Sequence, residues 1–122
     1  MSQNSNERPW DLEERTERFA KRCRAFVKLL PRTATNPDDA RQLGRCSGSV
    51  AANYIEANDA LGKKDFVMKM RVTRREAKES RLFLRLVDLD GRPDVEHERQ
   101  ALAQEADELV RIFSSILKPF CE

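Results

Sequence analysis

SGSVAANYIEA (Ser47–Ala57), KKDF (Lys63–Phe66) and REAKESRLFLRL (Arg75–Leu86) lie in one stretch, Arg41 to Val87, that decides the fold. With Ala40 just before it, its first half places Leu43, Ser47, Val50, Tyr54, Ala57 and Leu61 at alternating steps of three and four. Its second half repeats the step at Phe66, Met70, Thr73, Ala77, Ser80, Leu84 and Val87. That spacing keeps side chains on one helical face, so the stretch reads as two helices, each with one buried seam, broken at Gly62. Gly44, Gly48, Ala51 and Ala52 leave little bulk beside the first seam. Glycine inside a helix costs about 1 kcal/mol against alanine, so another backbone is expected to pack closely there.

Outward from this core, Leu12, Thr16, Phe19, Cys23, Phe26 and Leu30 form a seam ahead of Pro31. Val95, Leu102, Ala106, Leu109, Phe113 and Ile116 form another after the turn DGRPD (Asp90–Asp94). Asn36 precedes Pro37 as an N-cap, with Asp38 and Asp39 in the first turn where the helix dipole favours negative charge. The expected layout is a flexible segment over residues 1–10 and a bundle over 11–120, with helices at about 11–30, 37–60, 63–88 and 94–118. Short connections argue for antiparallel neighbours, hence an all-α, up-down-up-down four-helix bundle; the alternative is a long two-helix hairpin that dimerises. Val27, Val110, Ile112 and Leu117 lie off the seams and suit either ordinary core wrapping or a subunit contact. Trp10 is a candidate anchor for the N-terminal segment.

Composition limits the function classes. The 122 residues fit one domain, 36% are charged and 7% aromatic, and only four are glycine, which favours long helices with solvated faces. The net charge is +2, too small to mark a nucleic-acid binder by itself. The distribution is uneven, however: residues 63–88 carry nine basic and four acidic side chains, whereas residues 89–122 carry four and eight. Cys23, Cys46 and Cys121 are odd in number and widely spaced, and the single His97 offers little help to a metal, so free thiols in a reducing compartment are expected. The polar N-terminus MSQNSNERPWD resembles neither a signal peptide nor an anchor, and no window reaches the ~18 apolar residues of a membrane span. A cytoplasmic location, without membrane, metal or cofactor, is the expectation.

Arg41-Gln42-Leu43, Ser47–Ala57 and Lys63–Arg85 resemble the bacterial four-helix-bundle proteins encoded in intervening sequences of large-subunit ribosomal RNA genes. The likeness runs from about Asp11 to Phe120 and is densest in S-x-S-V-x-A-N-x-x-E-A, K-K-D-F and K-E-S-R-L. Ala51 stands where relatives often carry Pro or Gly, and Gly62 where Ser is common, which removes a helix N-cap. The resemblance implies a left-handed antiparallel bundle, assembly into a homopentameric ring, and kinship with nucleic-acid-binding accessory proteins of diversity-generating retroelements. Most members of that family have no established biochemical activity.

The sharpest candidate site is Arg71, Arg74, Lys78, Arg81 and Arg85. At 100° per residue these fall within an arc of about 80°, centred about 110° from the core seam, a flank stripe whose spacing suits a phosphate backbone. The competing reading is a stripe neutralised by the acidic fourth helix, since no aromatic residues alternate with it as stacking platforms. Arg15, Arg18, Lys21, Arg22, Arg24 and Lys28 form a second basic run, expected to pair within the helix with Glu13, Glu14 and Glu17. Asn53, Glu56, Glu76 and Glu79 lie near the central seams but lack the Glu-x-x-His of two-metal bundles, so hydrogen bonds and pairs with Arg45 and Arg75 are expected instead. Cys46, Ser47 and His97 form no recognisable nucleophile set, and Gly44-x-x-x-Gly48 is no phosphate loop because it sits inside a helix. The expectation is a non-enzymatic homo-oligomer with no catalytic residues, binding structured RNA or DNA through the stripe. The alternative is a protein-interaction scaffold in which the stripe is structural.

Overall fold

The computed structural model describes residues 9–121, the side chains of residues 9 and 10 excepted. The expected flexible segment and the Trp10 side chain therefore lie outside the described residues, although helix α1 already includes the backbone of Pro9. The chain forms α1 (Pro9–Val27), α2 (Asn36–Asn58), α3 (Lys63–Leu86), α4 (Pro93–Leu117) and a final 3-10 turn, Lys118–Phe120. Among the described residues there is no strand, and no helix is long and apolar enough to cross a membrane.

Cross-helix pairs give the direction of every helix. Arg15 meets Glu105 and, seven residues on, Arg22 meets Glu98, seven residues back, so α1 and α4 run antiparallel. The same inversion relates Arg74–Ser114 to Arg81–Asp107 across α3 and α4, and Arg45–Glu79 to Glu56–Lys69 across α2 and α3. Glu13 accepts from Asn58 while Arg24 lies against Gly48, which orients α1 against α2. Each helix thus neighbours the next, α4 returns to α1, and an up-down-up-down four-helix bundle results. The α2–α3 contact is the broadest and the α1–α4 contact the narrowest.

The four seams meet in one core that contains Phe19, Phe26, Leu43, Val50, Met70, Leu84, Leu102, Leu109 and Phe113. Tyr54 and Phe113 stack across the diagonal between α2 and α4, with ring centroids 6.1 Å apart. Small polar seam residues are buried without loss because each hydroxyl bonds back to its own helix: Thr16 to Leu12, Thr73 to Lys69 and Ser80 to Glu76, at 2.7, 2.8 and 2.9 Å. Of the off-seam residues, Val110 and Leu117 are buried and Val27 and Ile112 pack against the core, which is core wrapping.

Four local expectations are corrected. α1 stops at Val27 rather than residue 30, because Leu29 and Leu30 bond back three residues and Pro31 disfavours a helical residue before it. Leu61 keeps the helical spacing but is 99% exposed, since α2 has ended at Asn58. Asn36 is not an N-cap: it is the first helical residue, and its buried side chain instead ties two loops together. Its Nδ2 donates to the Pro31 and Asp88 carbonyls, both at 2.8 Å, and its Oδ1 accepts from the Asp88 N–H at 2.9 Å. Finally, no backbone crowds Gly44, whose Cβ would meet nothing within 4 Å, and a Cβ at Gly48 would meet the Arg24 guanidinium at 2.9 Å. At the α3–α4 turn, Asp90 and Gly91 both take positive φ, and Arg99 donates to the Leu84, Arg85 and Val87 carbonyls that α3 leaves open at its end.

Candidate nucleic-acid interface

The five stripe residues share one flank of α3, but the fold divides them by angle. Arg74 and Arg81 lie nearest α4 and are half-buried: Arg74 Nη1 donates to Ser114 Oγ at 3.4 Å, and Arg81 Nη1 pairs with Asp107 at 2.6 Å. Asp107 also accepts from Arg111 at 2.8 Å, so Arg81 is part of a structural triad rather than an open cation. Arg71, Lys78 and Arg85 lie farther round the helix, exposed, with no ion-pair partner among the described residues.

The stripe continues into a feature that spacing alone does not reveal. Where α3 begins beside the C-terminal turn, a hollow of about 690 Å³ is lined by Lys63, Lys64, Arg71, Arg74 and Arg75 around Met68 and Phe120. Gly62 supplies no side-chain cap to α3, and Asp65 in the first turn offsets part of the positive helix end beside Lys63 and Lys64. Phe120 packs against Phe66 with ring centroids 6.0 Å apart, giving the basic rim an aromatic edge. Lys63 and Lys64 were visible as a pair in the sequence, but their neighbour Phe120 is far along the chain and only the folded bundle brings it to them.

The second basic run behaves differently from expectation. Lys21 pairs within α1, with Glu17 at 3.3 Å, but Arg15 and Arg22 reach across to α4. Arg15 forks onto Glu105 at 2.7 and 2.9 Å and onto Glu108 at 2.7 Å. These charge-assisted bonds hold its guanidinium protonated beyond its ordinary range. Of the four α4 carboxylates that pair with another helix, Glu98, Glu105 and Glu108 go to α1 and only Asp107 goes to α3, which leaves Arg71, Lys78 and Arg85 without an ion pair among the described residues.

The other sequence candidates are engaged in structure. Glu56 pairs with Lys69 at 2.7 Å, Glu79 with Arg45 at 3.0 Å, and buried Glu76 with Arg45 at 3.4 Å, with Arg75 at 4.0 Å. Asn53 Nδ2 donates to the Ser49 carbonyl and hydroxyl, both at 2.9 Å. Among the described residues no three His, Cys, Asp or Glu side chains are grouped to hold a metal ion. His97 is exposed near the start of α4, away from Cys46 and Ser47, which are buried in α2.

Burial pushes the Cys46 thiol up and the Cys23 thiol up to about 12. Neither is a thiolate at neutral pH, and thiols in that state are poor nucleophiles. Two outcomes follow. Ellman's reagent at pH 8 should titrate only exposed Cys121 in the native protein and all three thiols after denaturation. Above pH 9, the ordinary value, only the unfolded chain ionises at Cys23, so stability falls as pH rises towards 12, by about 1.4 kcal/mol per pH unit for this group. Cys46 and Tyr54 shift in the same direction; Cys23→Ala should flatten the alkaline slope by one proton's share, and an unchanged slope would refute the assignment.

The fold has a solved counterpart. It is a protein of unknown function from the S23 ribosomal protein family of Bacteroides thetaiotaomicron, to which the chain is similar with a TM-score of 0.72 and 24% identity, over 87% of this chain and 97% of that one. No family model and no curated protein matches the chain. At this level of identity the likeness supports the bundle architecture alone.

Proposed function

We propose that the protein is a cytoplasmic, non-enzymatic, self-associating four-helix bundle of the ribosomal-RNA intervening-sequence type that binds structured RNA or DNA through one side of α3. The observation that carries this reading is the open run of Arg71, Lys78 and Arg85, continuous with the basic hollow at Lys63, Lys64 and Arg75. Uncompensated cations at helical spacing suit a backbone of phosphates, and their binding releases counterions. The sequence resemblance points the same way. The ring of five implied by the resemblance belongs to this proposal; repetition of a modest patch around a ring multiplies its avidity. Light scattering should then give about five times 14.1 kDa, or a multiple of it, and a monomeric mass would remove that part.

The Arg81–Asp107 pair favours a second reading, a protein-interaction scaffold whose stripe is structural. Titration of a labelled RNA hairpin and a DNA duplex at about 50 and about 200 mM salt separates the two. Replacing Arg71, Lys78 and Arg85 together with alanine should weaken binding at least about tenfold and reduce the salt slope by about three. Arg81→Ala should leave affinity nearly unchanged. Absence of binding at low salt, or an unaffected triple variant, rejects the nucleic-acid reading in favour of the scaffold.

A further inference from the structure

The outward face of α3, opposite the core, carries a second heptad seam that none of the described helices covers. Met68, Val72, Arg75, Glu79, Leu82 and Leu86 follow one another at steps of four, three, four, three and four. Three of them are large apolar side chains left open to solvent, Met68 at 58%, Leu82 at 48% and Leu86 at 53%. The order is palindromic: apolar pairs occupy the two ends, and one cation and one anion occupy the middle. Reflected about residue 77, Met68 falls opposite Leu86, Val72 opposite Leu82, and Arg75 opposite Glu79.

We propose that this face is a self-pairing surface on which a second copy of the chain docks antiparallel, about a two-fold axis between Arg75 and Glu79. An isologous contact needs a surface complementary to itself, and this one is so in the order of its apolar and charged residues. Each Arg75 meets the partner's Glu79 across the axis, and the apolar ends exclude water on either side. Arg75 is exposed and its nearest carboxylate, Glu76, is 4.0 Å away, so its charge is available to a partner. Glu79 already holds Arg45 at 3.0 Å on the α2 side and retains a second oxygen for the new contact. Six seam positions span about 27 Å of one helix, a small interface, so pairing is concentration-dependent. Arg71, Lys78 and Arg85 flank the seam; about this axis Lys78 faces its own copy and Arg71 faces the copy of Arg85, which limits affinity while joining two basic stripes into one face.

Met68, Val72 and Arg75 belong both to this seam and to the basic hollow, so the pairing is measured without nucleic acid present, where its failure and the failure of the nucleic-acid reading are told apart. The test is sedimentation equilibrium of the full chain under reducing conditions, with circular dichroism to check folding. Leu82→Glu should halve the assembled mass, or weaken association at least tenfold, with an unchanged helical spectrum. Arg75→Glu and Glu79→Arg should each do the same, since each places like charges together, and the combined charge swap should restore wild-type association. A mass indifferent to Leu82→Glu, as expected if another protein or a lipid surface occupied this face, would overturn the proposal. So would failure of the combined swap to recover what each single variant loses.

Discussion

Phe113→Ala should cost about 4 kcal/mol and lower the melting temperature by roughly 10 °C or more. Phe113 is fully buried on α4, and its ring stacks against Tyr54 of α2 across the middle of the bundle. α2 and α4 are not neighbours, so this pair fills the space that four helices leave at their centre. Truncation removes the transfer energy of a whole ring, opens a void between diagonal helices that cannot close without moving both, and ends an aromatic contact of about 1 kcal/mol. Phe113→Leu keeps most of the volume and should lose under half as much. Urea titration of the two variants checks the argument: equal losses would mean that the centre collapses freely and that the stacked pair carries no special weight.

Asn36→Ala should cost about 3 kcal/mol, an unusual amount for a residue at a helix start. Asn36 is 2% exposed and serves three backbone groups, the carbonyls of Pro31 and Asp88 and the N–H of Asp88. Alanine leaves all three without their partner in a place where water enters poorly. Asn36→Asp is the sharper comparison, because a carboxylate can accept from Asp88 but cannot donate to either carbonyl. It should be at least as damaging as alanine, whereas an N-cap role would make aspartate harmless. Thermal denaturation of the pair decides between the two roles, and an Asn36→Asp variant as stable as wild type would refute the loop-staple account.

These two residues also show what the sequence could and could not disclose. Tyr54 and Phe113 both belong to seams readable from three-four spacing, so their burial was legible; that they meet across the diagonal was not, because periodicity gives a face but no neighbour. Asn36 before Pro37 has the local signature of a cap, and its tertiary use depends on Asp88, 52 residues away. Leu61 illustrates the opposite limit, since its spacing continues a helix that has already ended. The stripe was legible as a set of five on one flank. Its division into structural Arg81 and open Arg71, Lys78 and Arg85 depends on which side α4 lies and on Asp107 being there. The hollow completed by Phe120 joins the start of α3 to the end of the chain and has no local signal at all.

The order of contacts around the bundle bears on how the molecule is made. Three of its four interfaces join helices that follow one another in the chain, and only the narrow α1–α4 contact closes a long loop. Loop-closure entropy therefore weighs on one interface alone, which suits rapid folding. During synthesis α1, α2 and α3 can assemble as each emerges, while Arg15 and Arg22 wait for Glu105, Glu108 and Glu98 of α4. Those ion pairs can form only once α4 has been made, whereas the broadest interface, α2 on α3, needs nothing later in the chain.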